Sequence, residues 1–457
     1  AALGFAPAGI APRAARAADE APPPPAAPGA TSSAAPVATR AAAPAAPAAE
    51  HRLTLAQAIE LALRGNEDIA VGREELIAAR ASVSGANGAY DPRLEIAGDW
   101  QRTTEPQNFS FSGAPGDRAA LRVRSAGGTT TVRQLLPSGG TVTVGGRATR
   151  ETTNSTLALL TPYYGTEVGI ELRQPFLRGL TVDPARLAVR VARTERQGAA
   201  AALHRTVAQT SADVESAYWG LVAARRALEV RAESVRLAEE QLTETRARVE
   251  SGAAPETELA QPRAELERRT GERLAAQEAL SRAENALKVL ILSGDSDALW
   301  AERLVPADDA ELPVEPLNVT AEMEKALRVR PELAAGKAAV DRRRAESAFA
   351  RDAVRPSLDA VLGYSRYGLA GTRNPADPDG LFPSGLGGDL GGSFRSLGED
   401  DYDSFRAGLV IGFPIGNRGA RASATAARSA ERQAQADLTR LRKSIRAEVL
   451  DAAAALE

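Results

Sequence analysis

The 457 residues contain no cysteine. Disulfides, thiolate metal sites and a lipid-modified N-terminal Cys are therefore excluded within them, and such a composition fits an extracytoplasmic setting without requiring one. Histidine occurs twice, at His51 and His204. One lies at a linker boundary and the other on a long helix, and neither has a second His or a carboxylate cluster at ligand spacing. A zinc-type site or a Ser-His-Asp triad has nothing to build on. Gly336-Lys337 is followed by Ala338 and lacks the preceding Gly of a phosphate loop. No catalytic residue, metal or cofactor is expected. Long apolar runs are also missing: no stretch approaches the roughly 18 residues a spanning helix needs, which leaves a closed β-barrel as the membrane-crossing option. Charge of one sign is lacking too, since 56 basic and 59 acidic residues give a formal net charge of -3. Arginines alternate with Glu and Asp as on solvated helix faces, and nothing in this balance calls for a polyanion.

What the chain does have is one very long helical pattern, from about Pro184 to Ser251. Val207, Val214, Leu221, Leu228, Val235, Leu242 and Val249 recur at heptad spacing, and the companion positions are mostly small or polar, namely Thr210, Ala217, Ala224, Arg231, Ala238 and Thr245. This is a coiled-coil seam whose small residues let a neighbour approach closely. At ~1.5 Å per residue the helix spans on the order of 100 Å. Gly252-Ala253-Ala254-Pro255 then reads as a turn. A return helix from about Thr257 to Leu292, with Pro262 near its start, directs Leu259, Leu266, Leu274, Leu280 and Leu287 back onto the first.

Residues 1–50 read differently. AALGFAPAGIAPRAARAADE has the look of a signal-peptide remnant or of Ala/Pro-rich disorder, and Glu20 to Glu50 is a linker that cannot bury a core. From Leu53 a short helix with a Thr54/Gln57 capping box ends near Gly65, a second helix runs from Glu67 to Ala89, and the period then changes to two. Leu94, Ile96, Gly98 and Trp100 form one face of a strand. Gln101 to Gly165 holds short alternating runs broken by turns such as Pro137-Ser138-Gly139-Gly140, and a strand from Thr166 to Phe176 precedes Asp183-Pro184. Gly294 to Leu317, with Trp300, reads as a connection.

The chain then repeats itself. Ala62, Leu63, Arg64, Pro92 and Leu94 recur as Ala326, Leu327, Arg328, Pro356 and Leu358 at a constant spacing of 264, and Arg193, Leu203, Arg205 and Val214 recur as Arg428, Leu438, Arg440 and Val449 at 235. The expected domains are 51–299 and 300–457, the second incomplete at its C-terminal side. Within the second, a polar Gly-rich loop, Leu369 to Ser404, precedes a strand from Phe405 to Ile415. Its acidic residues (Asp377, Asp379, Asp389, Glu399, Asp400, Asp401 and Asp403) read as a solvated loop, with cation attraction as the alternative. A few strands per protomer cannot close their own edges, so they are expected to pair between subunits. Tyr90, Trp100, Phe176 and Tyr364 suit interfacial girdles of such a barrel. A soluble sheet capping a helical bundle fits the same alternation.

The order and spacing of LTLAQAIELALRGNEDI, AYDPRLEI, LRQPFLRG, AYWGLVAARRALE and RARVESGAAPETELAQPRAELE resemble those of TolC-type outer-membrane efflux proteins, over both repeats from Leu53 to Glu457. That resemblance implies a mixed α and β fold: a long antiparallel coiled-coil tunnel in the periplasm plus an antiparallel transmembrane β-barrel, both assembled from a homotrimer. It implies an outer-membrane, non-enzymatic exit duct of a tripartite efflux or type I secretion system, partnered by a periplasmic adaptor, an inner-membrane transporter and outer-membrane lipid. Arg248-x-x-x-Gly252 matches the family's docking pattern, so Arg248, Gly252, Ala253, Pro255 and Glu256 correspond to the adaptor-docking tip. The Ala-Ala-Pro turn and Pro262 depart from the usual sequence there. Family members usually have two strands per repeat, and Gln101 to Gly165 has room for a further hairpin. The competing class is a soluble periplasmic coiled-coil adaptor or scaffold, which needs one hairpin and a compact β domain but no repeated strand pairs. Substrate is not encoded in any recognisable motif.

Overall fold

The structure, a computed structural model, describes residues 49–108, 113–115, 120–308, 318–375, 385–399 and 402–456. The expected signal remnant and linker lie outside these residues up to 48, as do Asp377, Asp379, Asp400 and Asp401 of the acidic loop.

The first described element is β1 (Glu50–Leu53), so Glu50, expected to end the linker, belongs to a strand. α1 (Leu55–Gly65) follows, opened by the reciprocal Thr54/Gln57 capping box, and Asn66 then caps α2 (Glu67–Asn87) through the Asp68 and Ile69 amides. Next come β2 (Arg93–Pro106), β3 (Ala120–Leu135), β4 (Thr141–Thr153) and β5 (Leu160–Pro175). The fragments legible between Gln101 and Gly165 are thus two long continuous strands. Gly127-Gly128 and Gly145-Gly146 broke the apparent alternation because glycine shows no preference for either face.

α3 (Pro184–Glu250) runs 67 residues. Asp183 caps it by accepting the Arg186 amide at 2.7 Å, and Pro184 occupies a first-turn position where its missing N–H costs nothing. A 3-10 turn, Glu256–Leu259, leads into α4 (Ala260–Ile291), whose third residue is Pro262, again in a first turn. Along α4 one expected contact fails: Leu274 is 56 % exposed. Leu266 and Leu280 are half-buried and Leu287 is fully buried, so the inward heptad passes through Arg273 rather than Leu274.

The connection after α4 contains β6 (Arg303–Pro306), which pairs in parallel with β1. Arg303–Pro306 thus lies beside Glu50–Leu53, far from it in sequence. Tyr218 is the anchor of this region. Its ring is fully buried among Leu53, Ala58, Ala62, Val214, Leu221 and Leu287, with Trp219 edge-on at 5.5 Å. Its hydroxyl lies 2.8 Å from Asp308 Oδ2 and 3.0 Å from the Leu53 carbonyl, and accepts the Ala307 and Asp308 amides at 3.2 Å. Burial is the main reason its ionisation is pushed above the ordinary phenol range.

α5 (Val319–Val329), α6 (Pro331–Asp352), β7 (Ser357–Arg373), α7 (Leu390–Ser396), β8 (Asp403–Gly412) and α8 (Arg418–Leu456) complete the chain. β7 continues five residues into the expected loop, and that loop contains α7, capped by Asp389. α3 packs against α2, α4 and α6, and α6 packs against α8. The six strands β2-β3-β4-β5-β7-β8 form one antiparallel sheet in that order. Four of them come from before α3 and two from after α6.

Candidate functional site

Strand registers decide what the sheet offers to its surroundings. Leu94 pairs with Val132, Val132 with Val144, Val144 with Ile170, Ile170 with Tyr364 and Tyr364 with Phe405. Paired residues share a face, and so do residues two apart. This face therefore also carries Ile96 and Trp100 on β2, Val142 on β4, Val168 and Leu172 on β5, Leu358 and Leu362 on β7, and Leu409 and Ile411 on β8. Charge enters this face at Arg366, which pairs with Val168 and Asp403, and at Arg150, opposite the Ala126 that partners Trp100. Many of these side chains are bare, Ile96, Trp100 and Phe405 each being more than 70 % exposed.

The opposite face is polar. Glu95 pairs with Thr131, Thr143 with Glu171, Arg147 with Glu167, and Ser365 with Ser404. Arg173 bridges β5 to Asp359 on β7 at 2.6 Å. This side forms a trough lined by Thr129, Thr143, Arg147, Glu167, Glu171 and Arg406. An apolar band on one face and a polar opposite face, alternating along every strand, is the pattern of a lipid-facing barrel wall around an aqueous lumen. The outer edges of β2 and β8 meet no strand among the described residues. Among those residues no helix is long and apolar enough to cross a membrane.

The girdle aromatics divide. Trp100 and Tyr364 stand on the apolar face, Tyr364 in the middle of β7 as the last residue of the band before Arg366 rather than at a strand end. Phe176 is 48 % exposed just beyond β5. Tyr90 sits in a 3-10 turn below β2, where burial and then the Asp183 carboxylate hold its phenol above the usual range. The sequence missed the contribution of β3 and β4 to the band, and the signal that could have found it is the period-two recurrence of Val132, Val142 and Val144 across a tight turn.

The second feature is the hairpin between α3 and α4. All seven seam residues, Val207 to Val249, are buried or half-buried, with Val214, Leu221 and Val235 deepest. Arg231, the odd member among the small companion positions, reaches across to Glu272 on α4 at 2.8 Å. At the tip the Gly252 amide donates to the Val249 carbonyl at 3.0 Å and the Ala253 amide to the Arg248 carbonyl at 2.9 Å. This pair of bonds requires a left-handed residue between them, and Gly252 has φ +73°. Arg248, Gly252, Ala253, Pro255 and Glu256 are all exposed. The structure thus brings the five into one turn, and Arg248 makes no ion pair among the described residues. Neither histidine joins a cluster: His51 lies 3.4 Å from Glu302 on β6's approach and His204 is exposed. No group of three or more His, Cys, Asp or Glu among the described residues could hold a metal ion.

Comparison with solved structures places this architecture among TolC-type outer-membrane channels. The chain superposes on CusC, a protein described as forming a transmembrane channel, with TM-score 0.54 and 18% identity over 88% of this chain and 75% of that one. It is similar to the CmeC outer membrane channel of Campylobacter jejuni (TM-score 0.53, 16% identity, 85% and 68% covered) and to the outer membrane protein VceC of Vibrio cholerae (TM-score 0.53, 17% identity, 85% and 75% covered). Residues 323–457 match the outer membrane efflux protein family. The solved structures it superposes on are described as channels or outer membrane proteins. No curated protein matches the chain.

Proposed function

We propose that this protein is the outer-membrane exit duct of a tripartite efflux or type I secretion system. Three copies close by pairing β8 of one with β2 of the next, and three six-stranded sheets give eighteen strands, three times six. With strands ~4.8 Å apart and tilted ~40°, such a barrel has a backbone diameter of about 36 Å. The helices continue it as a periplasmic tunnel. The hairpin tip at Arg248 to Glu256 docks a periplasmic adaptor, which couples the duct to an inner-membrane transporter. Transport through the duct is passive and depends on geometry.

The observation that carries this reading is the largely apolar face, backed by a polar face and ending in two bare edges. Water would not tolerate it: each large apolar side chain left exposed forgoes about 1.5–3 kcal/mol of burial, and unpaired strand edges aggregate. A soluble adaptor or scaffold has no use for either. Internal duplication is supported by matching close contacts, Gly72 with Leu203 and Gly336 with Leu438, at the spacings read from the sequence. The native chain has no cysteine, so single cysteines introduced on β2 and β8 give a clean test. Disulfide-linked oligomers are expected in outer membranes on non-reducing electrophoresis, separating into monomers only when reductant is added. A monomer in the soluble periplasmic fraction would reject the duct.

A further inference from the structure

The apolar band ends abruptly at one side, and the residues beyond it are cationic. Past Trp100 the next residue on that face of β2 is Arg102, which pairs in register with Arg124 on β3. Arg122 lies two residues along β3 on the same face, opposite Thr104. On β4, Arg150 is opposite Ala126, diagonal to Arg124, and its Nε donates to Tyr164 Oη at 3.4 Å. Four exposed guanidinium groups therefore occupy neighbouring positions on three adjacent strands.

Like charges directly opposite on one sheet face repel. Nothing on this face of β2, β3 and β4 offsets them: Asp99, Glu105 and Glu151 are on the polar face, and Asp403 lies across from Arg366 on β7. The other arginine pair in register, Arg93 and Arg133, differs in having Glu95 one step along its own face. Arg102, Arg122 and Arg124 make no ion pair among the described residues. The cluster also has a defined level. It is towards the end of the strands away from α2 and α3, with Arg150 level with the aromatic margin of Trp100 and Tyr164 and the other three just past it, where a barrel wall leaves hydrocarbon and enters the headgroups.

We propose that Arg102, Arg122, Arg124 and Arg150 form a binding site for net-anionic, phosphate-bearing lipid headgroups of the leaflet distal to the helices. Guanidinium forks match phosphate geometry bidentately, and the backbone order of the sheet holds four of them ready without loop closure. Headgroup phosphates supply the missing countercharge. The site rests on the barrel reading above, because only a membrane-embedded wall brings lipid to this level.

The test uses the full-length protein reconstituted into phosphatidylcholine vesicles with and without phosphatidylglycerol. Lipid retention is read by native mass spectrometry and oligomer stability by thermal melting. Anionic lipid is expected to be retained preferentially and to raise the melting temperature. R102Q/R124Q is expected to weaken retention by about fivefold per arginine removed, the ordinary effect of a basic side chain at an anionic surface, while R93Q/R133Q on the polar face leaves it unchanged. Equal retention of both lipids, or no effect of R102Q/R124Q, overturns the site with the barrel intact. Equal stabilisation by inorganic phosphate alone overturns the lipid as ligand. Failure to insert into either vesicle removes the barrel reading and this site together.

Discussion

A β-carbon added to Gly72 would stand 3.1 Å from Leu203 Cδ1, and one added to Gly336 would stand 2.9 Å from Leu438 Cδ1. In both places a helix preceding the strands lies against the long helix after them, and hydrogen in place of a side chain lets the two backbones close up. Gly72→Val and Gly336→Val are therefore expected to destabilise by about 1–3 kcal/mol each through overpacking, and the double variant by nearly the sum. Chemical unfolding of the purified protein measures this.

Tyr218 offers a different test, because its ring and its hydroxyl do separable work. Tyr218→Phe keeps the ring in the core but takes the hydroxyl acceptor from the Asp308 amide and one bond each from the Ala307 amide and the Asp308 carboxylate, which keep the Leu53 carbonyl and the Leu55 amide. A loss of about 1–3 kcal/mol is expected, together with faster hydrogen exchange at β6. Trp219→Phe, on a half-buried neighbour, is expected to cost less.

Leu274 and Leu266 contain the same side chain about one heptad apart, yet one is exposed and one is half-buried. Leu274→Gln is expected to change thermal stability within about 0.5 kcal/mol. Leu266→Gln in the seam is expected to cost clearly more. Equal effects would show that α4 turns a different face to α3.

The hairpin's ion pairs set an acid limit. Glu265 is held below the usual carboxylate range, first by its hydrogen bond from Arg268 and then by that from Arg269, and Glu233 likewise by Arg236. A carboxylate depressed in the folded state stabilises above its unfolded pKa, and the gain is lost as pH falls through the folded value. Helicity of the hairpin is thus expected to be flat from neutrality down to about pH 5 and to weaken below about pH 4. These groups are open to solvent in part, so added salt should reduce the effect.

At the tip, substitution separates backbone from charge. A side chain at Gly252 meets open space, so Gly252→Ala acts through the left-handed φ alone and is expected to cost about 1 kcal/mol. Arg248→Glu leaves the backbone bonds in place. Both are expected to weaken cross-linking to a co-expressed adaptor without affecting oligomer assembly; unchanged cross-linking would remove this turn from the docking surface.

Local rules made the helices legible. Heptad recurrence of Val214, Leu221 and Val235, the Thr54/Gln57 box, Asp183-Pro184 and Gly252 each depend on residues within a turn or two of one another, so the rods, their caps and the hairpin tip could be read directly. The recurrence of Gly72 and Leu203 at fixed distances as Gly336 and Leu438 was equally open to inspection. Long-range pairing was not. That Glu50–Leu53 meets Arg303–Pro306, that Leu274 turns outward while Arg273 turns in, and that the glycine-broken run after Gln101 becomes two full strands depend on partners distant in sequence. The arginine cluster shows the same division most clearly. Arg102, Arg124 and Arg150 are dozens of residues apart within a chain of nearly balanced charge, and only hydrogen-bonded register, with its strict alternation of faces, brings them side by side above an apolar band.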